Sequence, residues 1–147
     1  MIGLVNSPSW IRFIGERNIK TVGDAEQYIE SGPAKSYALN GFGLNCIVLS
    51  DGNIPIGMCG LIKRDSLEDV DIGFAFLPEY EGKGFAFESS IVVLSQARSL
   101  GIKRLVAITL PENEKSVRLL HKLEFVFERM IRLPGEDKDL MLMGINL

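Results

Sequence analysis

The sequence has little material for metal binding or for disulfide bonding. It contains one histidine and two cysteines among 147 residues, so we expect no metal site. Cys46 and Cys59 could form at most one disulfide. Both lie in apolar segments with the pattern of strands, and we expect them to be buried free thiols of a reducing cytoplasm.

Strong charge of one sign and long apolar runs are also lacking. The formal net charge is −3, without the basic excess of a general nucleic-acid binder. No apolar run reaches the roughly 18 residues of a transmembrane helix, and the first residues do not resemble a signal peptide. Hydrophobic residues make up 46% of the chain, which excludes the disordered class. We therefore expect one cytoplasmic domain over residues 1–147, with neither nucleic acid nor a membrane as partner.

The first forty residues predict short helices. Residues 2–5 match the last turn of a helix, whereas the apolar residues around Trp10 lie in a loop-like setting. A helix is predicted from near Thr21 to about Ser31. Gly32 and Pro33 are expected to interrupt it before a second short helix over residues 34–40.

The rest of the chain alternates between strands and helices. Three strands are predicted as an antiparallel meander, at residues 44–49, 55–63 and 70–77. A helix over 85–100, whose broad apolar face includes Ile91, leads to a strand over 103–109. Because this helix connects the strand at 70–77 to the strand at 103–109, these two strands are expected to be parallel. A helix over 113–123 and a hairpin of 125–131 with 140–145 complete an α/β domain with a mixed, largely antiparallel sheet.

One glycine-rich turn carries the clearest chemical signal. A buried strand runs into a turn with Gly82 and Gly84, and a helix opens directly after it. The glycines and the small Ala86 let a ligand approach the backbone, and the free N–H groups of the first helical turn favour a pyrophosphate. An ordinary strand-to-helix turn would explain the same glycines. The turn is neither a P-loop, since residue 84 is not Ser or Thr, nor a dinucleotide fingerprint, since Phe87 is large.

Polar residues near the predicted strands and helices have two interpretations each. A helix from Asn113 places Ser116 as the one polar group on an apolar stripe, although its hydroxyl could instead be bonded within the first turn. Asn113 could equally be a plain N-cap. Asp71 could accept a proton from an amine, or be a solvated carboxylate beside Glu68 and Asp69.

Residues 78–88 and 110–125 together resemble the GNAT superfamily of acetyl-CoA-dependent N-acetyltransferases. The likeness is closest to its ribosomal-protein N-terminal acetyltransferases, the RimJ/RimL type. The superfamily's loop, Gln/Arg-x-x-Gly-x-Gly/Ala, maps onto residues 81–86, and the branch's Pro-Glu-Asn-x-x-Ser maps onto residues 111–116. The resemblance implies a GNAT-like mixed, mostly antiparallel sheet with flanking helices, in which a central parallel strand pair splays apart around the coenzyme.

The resemblance also implies roles for individual residues. Backbone groups of the third predicted strand would hold the pantetheine arm and the thioester: Phe74, Ala75, Phe76 and Leu77. The loop and first helical turn would bind the pyrophosphate through Gly82, Lys83, Gly84, Phe85, Ala86 and Phe87. Asn113 would contact the pantetheine or the sulfur end, and Ser116 would return a proton to the departing thiolate. Asp71 is our candidate for accepting the proton of the amine.

The reaction implied is acetyl transfer from acetyl-CoA to a primary amine, of a small molecule or a protein N-terminus. Direct attack needs alignment and N–H donors, but no cysteine nucleophile. An α-amino group is already partly neutral at cellular pH, so a strong base is not essential. A catalytically weak acetyl-CoA-binding module is the alternative.

Three residues depart from the superfamily's pattern. Glu81 replaces the usual Gln or Arg of the loop, and Leu120 stands where many members have a tyrosine general acid. Glu124 replaces the usual Gly before Phe, at a cost of about 1 kcal/mol if its backbone is left-handed. The resemblance also implies that an edge strand and part of the first helix are absent before residue 2. This would expose a sheet edge together with Trp10 and Phe13, which favours a homodimer.

Overall fold

Helices form the first part of the chain and a sheet with two further helices forms the rest. The computed structural model describes residues 1–147. Its elements are α1 (Ile2–Val5), α2 (Pro8–Phe13), α3 (Val22–Ile29), a π-helical turn (Glu30–Ala34), α4 (Lys35–Asn40), β1 (Leu44–Leu49), β2 (Ile54–Ile62), β3 (Val70–Phe76), a 3-10 turn (Pro78–Tyr80), α5 (Phe85–Ser99), β4 (Arg104–Thr109), α6 (Glu114–Lys122), β5 (Val126–Ile131) and β6 (Leu140–Asn146).

The strands form a single sheet in the order β1-β2-β3-β4-β6-β5. β1, β2 and β3 are an antiparallel meander, and β6 is antiparallel to both β4 and β5. Only β3 and β4 are parallel, because α5 returns the chain to the same end of the sheet. The predicted α/β class with a mixed, mostly antiparallel sheet is confirmed.

The parallel strands β3 and β4 are paired at one end only. Val70 pairs with Leu105 and Asp71 with Val106, and no pairing follows. Both strands continue for several residues beyond this point, so they diverge into a fork. We call the paired end its base, and the open end, from which the chain continues toward α5 and α6, its mouth. The predicted splay of the central strands is therefore present.

Apolar side chains cover both faces of the sheet. On one face, α5 and α6 pack over the larger cluster, which includes Leu61, Ile72 and Phe125. On the other face, the N-terminal helices pack around Met58 and bury Trp10. The fork thus lies between two packed layers, which hold its strands in place.

The loop predicted around Trp10 is wrong. Ser7 accepts a hydrogen bond from the Trp10 N–H at 3.4 Å, and Pro8 occupies the first turn, so residues 8–13 begin and continue as a helix. Trp10 is only 5% exposed, because it packs in the cluster around Met58. It therefore does not contribute the exposed surface on which the expected homodimer partly depended.

The interruption predicted at Gly32 and Pro33 is also wrong. The helix continues through a π-helical turn, in which the Lys35 N–H bonds to the Glu30 carbonyl. Proline donates no N–H, and the wider turn lets the chain pass it without breaking the helix.

Two side chains expected to be buried are exposed. Cys46 lies on the edge strand β1 and is exposed, whereas Cys59 lies on the inner strand β2 and is buried as predicted. Ile91 is 46% exposed, because the buried side of α5 is narrower than predicted. The outer edge of β1 has no partner strand, and the homodimer stays a prediction. No helix has the length and hydropathy of a membrane span.

Candidate active site

A glycine loop leads from β3 into α5 at one side of the mouth. Gly82 and Gly84 have φ angles of +71° and +90°, and a Cβ at either position would meet no atom within 4 Å. Gly84 caps α5 without a side-chain hydrogen bond, so the first N–H groups of this 15-residue helix stay free. Ala86 adds only a methyl group to this turn. Open space thus lies before aligned donors, an arrangement that fits a pyrophosphate.

Side chains of the same loop frame this space. Phe85 packs against Tyr80 with ring centroids 6.3 Å apart, and Lys83 Nζ lies 5.6 Å from the Tyr80 centroid. Phe87 is covered by Lys122 of α6, whose Nζ is 4.1 Å from the ring centroid. The contact between Lys122 and Phe87 joins the start of α5 to α6.

The edge of β3 that faces the gap has free backbone groups beyond the base. The Leu77 N–H donates to the Ile56 carbonyl at 2.9 Å, and the Leu77 carbonyl accepts from the following turn. In an antiparallel pair only alternate residues bond to the partner strand, so Ala75 also directs its N–H and C=O to β2. Phe74 and Phe76 direct theirs into the gap. Ala75 and Leu77 therefore have no free backbone group for a ligand, contrary to the backbone roles expected for them.

The other side of the mouth is the start of α6. Asn113 Oδ1 accepts the Ser116 N–H at 3.3 Å, so the interpretation of Asn113 as an N-cap is confirmed. The Ser116 hydroxyl forms no hydrogen bond within the chain and is half-buried. The alternative of a hydroxyl bonded in the first turn is therefore wrong, and Ser116 is free to donate to a ligand.

Asp71 lies at the base of the fork and is 1% exposed. Its Oδ2 accepts from Arg64 Nε at 3.0 Å, whereas its Oδ1 is buried without a partner. Burial raises the pKa of this carboxyl above its ordinary value of 3.8, and Arg64 only partly offsets the rise. The alternative of a solvated carboxylate is wrong, because Asp71 shares its sheet face with its buried neighbour Val106.

An ion-pair cluster holds the base closed. Arg104 of β4 binds Asp69 at 3.0 Å, just before β3, and Glu128 of β5 at 2.6 Å. Both acids raise the pKa of the Arg104 guanidinium, with the Glu128 hydrogen bond as the largest cause. The three side chains border a cavity of about 210 Å³ that Val106 also lines. The cavity lies on the face of the sheet that carries the side chains of both Val106 and Asp71.

Glu81 connects three parts of the chain across the mouth. Its Oε1 accepts from Ser9 Oγ of α2 at 2.9 Å, and its Oε2 binds Lys115 Nζ of α6 at 2.8 Å. Of the other departures, Leu120 is buried in the core, and Glu124 has a φ angle of +69°, the left-handed backbone that favours glycine.

The sequence did not predict which side chains pair with Asp69, Asp71 and Glu81. Arg64 and Arg104 carried no signal, because only the strand register brings each of them to its carboxylate. Ser9 and Lys115 meet Glu81 from helices distant in the chain. No group of three or more His, Cys, Asp or Glu side chains is arranged to hold a metal ion.

Comparison with protein families finds a match over residues 1–126 to the acetyltransferase (GNAT) domain. An uncharacterized N-acetyltransferase of Bacillus subtilis, YnaD, is 30% identical over 78 residues, which are 52% of this chain and 46% of that protein. The chain thus aligns with only about half the length of the curated relatives it matches.

Solved structures share the fold at low identity. The spermidine N-acetyltransferase from Vibrio cholerae in complex with CoA and spermine has a TM-score of 0.77 and 21% identity, over 97% of this chain and 85% of that chain. The ribosomal-protein-S5-alanine acetyltransferase from Vibrio fischeri has a TM-score of 0.70 and 21% identity, over 84% and 71%.

Proposed function

Since the chain belongs to the acetyltransferase (GNAT) family, we propose that it transfers an acetyl group from acetyl-CoA to a primary amine. The observation that carries the proposal is the fork, with free strand edges inside it and the open glycine loop at its mouth. Acetyl-CoA, when bound, supplies an acetyl group activated as a thioester. We also propose that residues 1–147 act as one domain, because both apolar clusters pack on the same sheet.

Different residues of the fork bind different parts of the coenzyme. The N–H groups from Gly82 to Phe87 face the pyrophosphate, and the free groups of Phe74 and Phe76 hold the pantetheine arm. Asn113 orders the start of α6, where Ser116 presents its free hydroxyl to the sulfur end.

Direct attack by the amine fits the remaining groups. Cys59 is buried, which raises the pKa of its thiol and disfavours the nucleophilic thiolate, and Cys46 lies on the distant edge strand. Asp71 accepts the proton of the amine at the base of the fork. It lies on the same face of the sheet as Val106, which lines the cavity beside Arg104. A carboxylate with a raised pKa is a better base near neutral pH than an ordinary one.

The acceptor amine distinguishes two versions of this proposal. The motif of residues 111–116 favours the ribosomal-protein branch, and thus a protein N-terminus, whereas the fold likeness to a spermidine acetyltransferase supports a small amine. A catalytically weak acetyl-CoA-binding module is the second candidate. Leu120 favours it, because no hydroxyl stands at the position where many members have a tyrosine.

A thiol-release assay with a panel of polyamines and peptide N-termini tests the proposal. We expect free CoA to appear with at least one amine, and acetyl-CoA to raise the melting temperature. A ligand at about 100 times its Kd adds about 2.7 kcal/mol to the free energy of unfolding. Binding without turnover on any amine would favour the weak module, and no melting shift at millimolar acetyl-CoA would contradict both.

Replacement of Ser116 by alanine should lower kcat about tenfold and leave KM for acetyl-CoA unchanged. The effect is modest because a thiolate leaves readily, with a thiol pKa near 8.5, so water replaces the acid in part. Steady-state kinetics measure it, with Ser95→Ala on the exposed side of α5 as the matched control. Unchanged kcat in the Ser116 variant would remove this residue from the mechanism.

A further inference from the structure

The carboxylate of Glu81 stands in an unfavourable place for a coenzyme site. It lies one residue before Gly82, at the loop whose free N–H groups favour an anion. A phosphate bound there would be repelled by a nearby carboxylate. The structure shows how this charge is compensated in the free protein, because Glu81 holds both Lys115 Nζ and Ser9 Oγ.

Lys115 is suited to change partners. It is the second residue of α6, at the other side of the mouth, and its side chain is 70% exposed. An exposed ion pair contributes little stability, so breaking the contact with Glu81 costs little. The four-carbon stem lets the ammonium group move without any movement of the helix.

Glu81 would keep a partner after Lys115 departs. Its Oε1 is bound by Ser9 of α2, and its side chain is only 23% exposed. The carboxylate is thereby anchored on the α2 side of the mouth, whereas the lysine is tethered only by its own stem. Of the two charges in this pair, Lys115 is the mobile one.

We propose that Lys115 binds a phosphate of coenzyme A and that Glu81 holds it in the free protein. The inference rests on the proposed function, since it requires a coenzyme in the fork. The two residues then act in opposite senses: Lys115 favours coenzyme binding, and Glu81 opposes it by repelling phosphate and by competing for the lysine.

Titration calorimetry with CoA on four forms of the full chain tests this: wild type, Glu81→Gln, Lys115→Gln and the double variant. We expect Lys115→Gln to raise the Kd about tenfold, as for loss of a hydrogen bond to a charged group. Glu81→Gln should lower the Kd about threefold to fivefold, the upper range for an exposed charge pair. The double variant should bind less tightly than Glu81→Gln alone. Lys35→Gln, an exposed lysine on α4, is the charge-matched control and should bind as wild type does.

The outcomes separate the two proposals. If wild type binds no CoA, the proposed function fails and this inference fails with it. The inference is overturned if wild type binds CoA but both single variants change the Kd in the same direction, or by less than about twofold. The Glu81–Lys115 ion pair would then have only a structural role.

Discussion

Replacement of Asp71 by asparagine should lower kcat for amine acetylation by about 10²- to 10³-fold, the range of a lost general base. The substitution preserves the shape of the side chain, removes its ability to accept a proton, and leaves a neutral amide oxygen to accept the hydrogen bond from Arg64. The unpartnered Oδ1 is the atom expected to take the proton, since Arg64 occupies Oδ2. The measurement is kcat across pH, with the best amine from the thiol-release panel.

The pH profile distinguishes a base from a structural residue. Because the pKa of Asp71 is raised above 3.8, the rate of wild type should fall as pH drops through that raised pKa, and the variant should lack this limb. Asp51→Asn, in the exposed turn between β1 and β2 and away from the fork, is the matched control. Retention of the acidic limb in the Asp71 variant would assign the proton transfer to another group or to water.

The same pKa has a consequence for stability. Between 3.8 and the raised value, the folded state binds more protons at Asp71 than the unfolded state does. The free energy of unfolding of wild type, relative to Asp71→Asn, should therefore fall as pH rises through this window. Urea unfolding at several pH values measures the difference.

Replacement of Gly84 by aspartate should weaken CoA binding about 100-fold, since a carboxylate a few ångströms from a phosphate costs about 3 kcal/mol at an effective dielectric constant near 20. The helix itself should remain intact. Aspartate is among the residues that best tolerate a left-handed backbone, here a φ of +90°, and its Cβ would meet no atom within 4 Å. The loss of affinity would thus be separated from a loss of folding.

Two control variants test whether the loss of affinity depends on the charge of the new side chain and on its position. Gly84→Asn has the same shape without the charge, and should weaken CoA binding by no more than about tenfold. Gly101→Asp introduces the same carboxylate just after the other end of α5, where φ is +77° and no atom lies within 4 Å of an added Cβ. It should leave CoA binding unchanged. Equal losses in Gly84→Asp and Gly84→Asn would show that space, not the anion site, is what glycine provides.

Much of the fold was predictable because its signals are local. The alternation of apolar residues along β1 to β3, with a glycine turn at residues 51–53, predicts a meander whatever lies elsewhere in the chain. Strand, helix and strand over β3, α5 and β4 predict a parallel pair by the handedness of crossovers. The errors at Trp10 and at Pro33 arose where composition suggested irregular chain. Ser7 instead caps a new helix over residues 8–13, and the π-helical turn continues α3 past Pro33.

The sequence by itself determined the parts of the candidate site that depend on neighbours along the chain. These are the glycine loop that opens α5, the N-cap at Asn113 and the place of Ser116 on its helix, because each follows from backbone geometry over a few residues. Tertiary structure alone decided the surroundings of the charged side chains. Burial of Asp71 beside Arg64, and the link from Glu81 to Ser9 and Lys115, join residues that only the packing of helices and strands brings together. Whether a carboxylate is a solvated surface charge or a base depends on what covers it, and no local pattern contains that information.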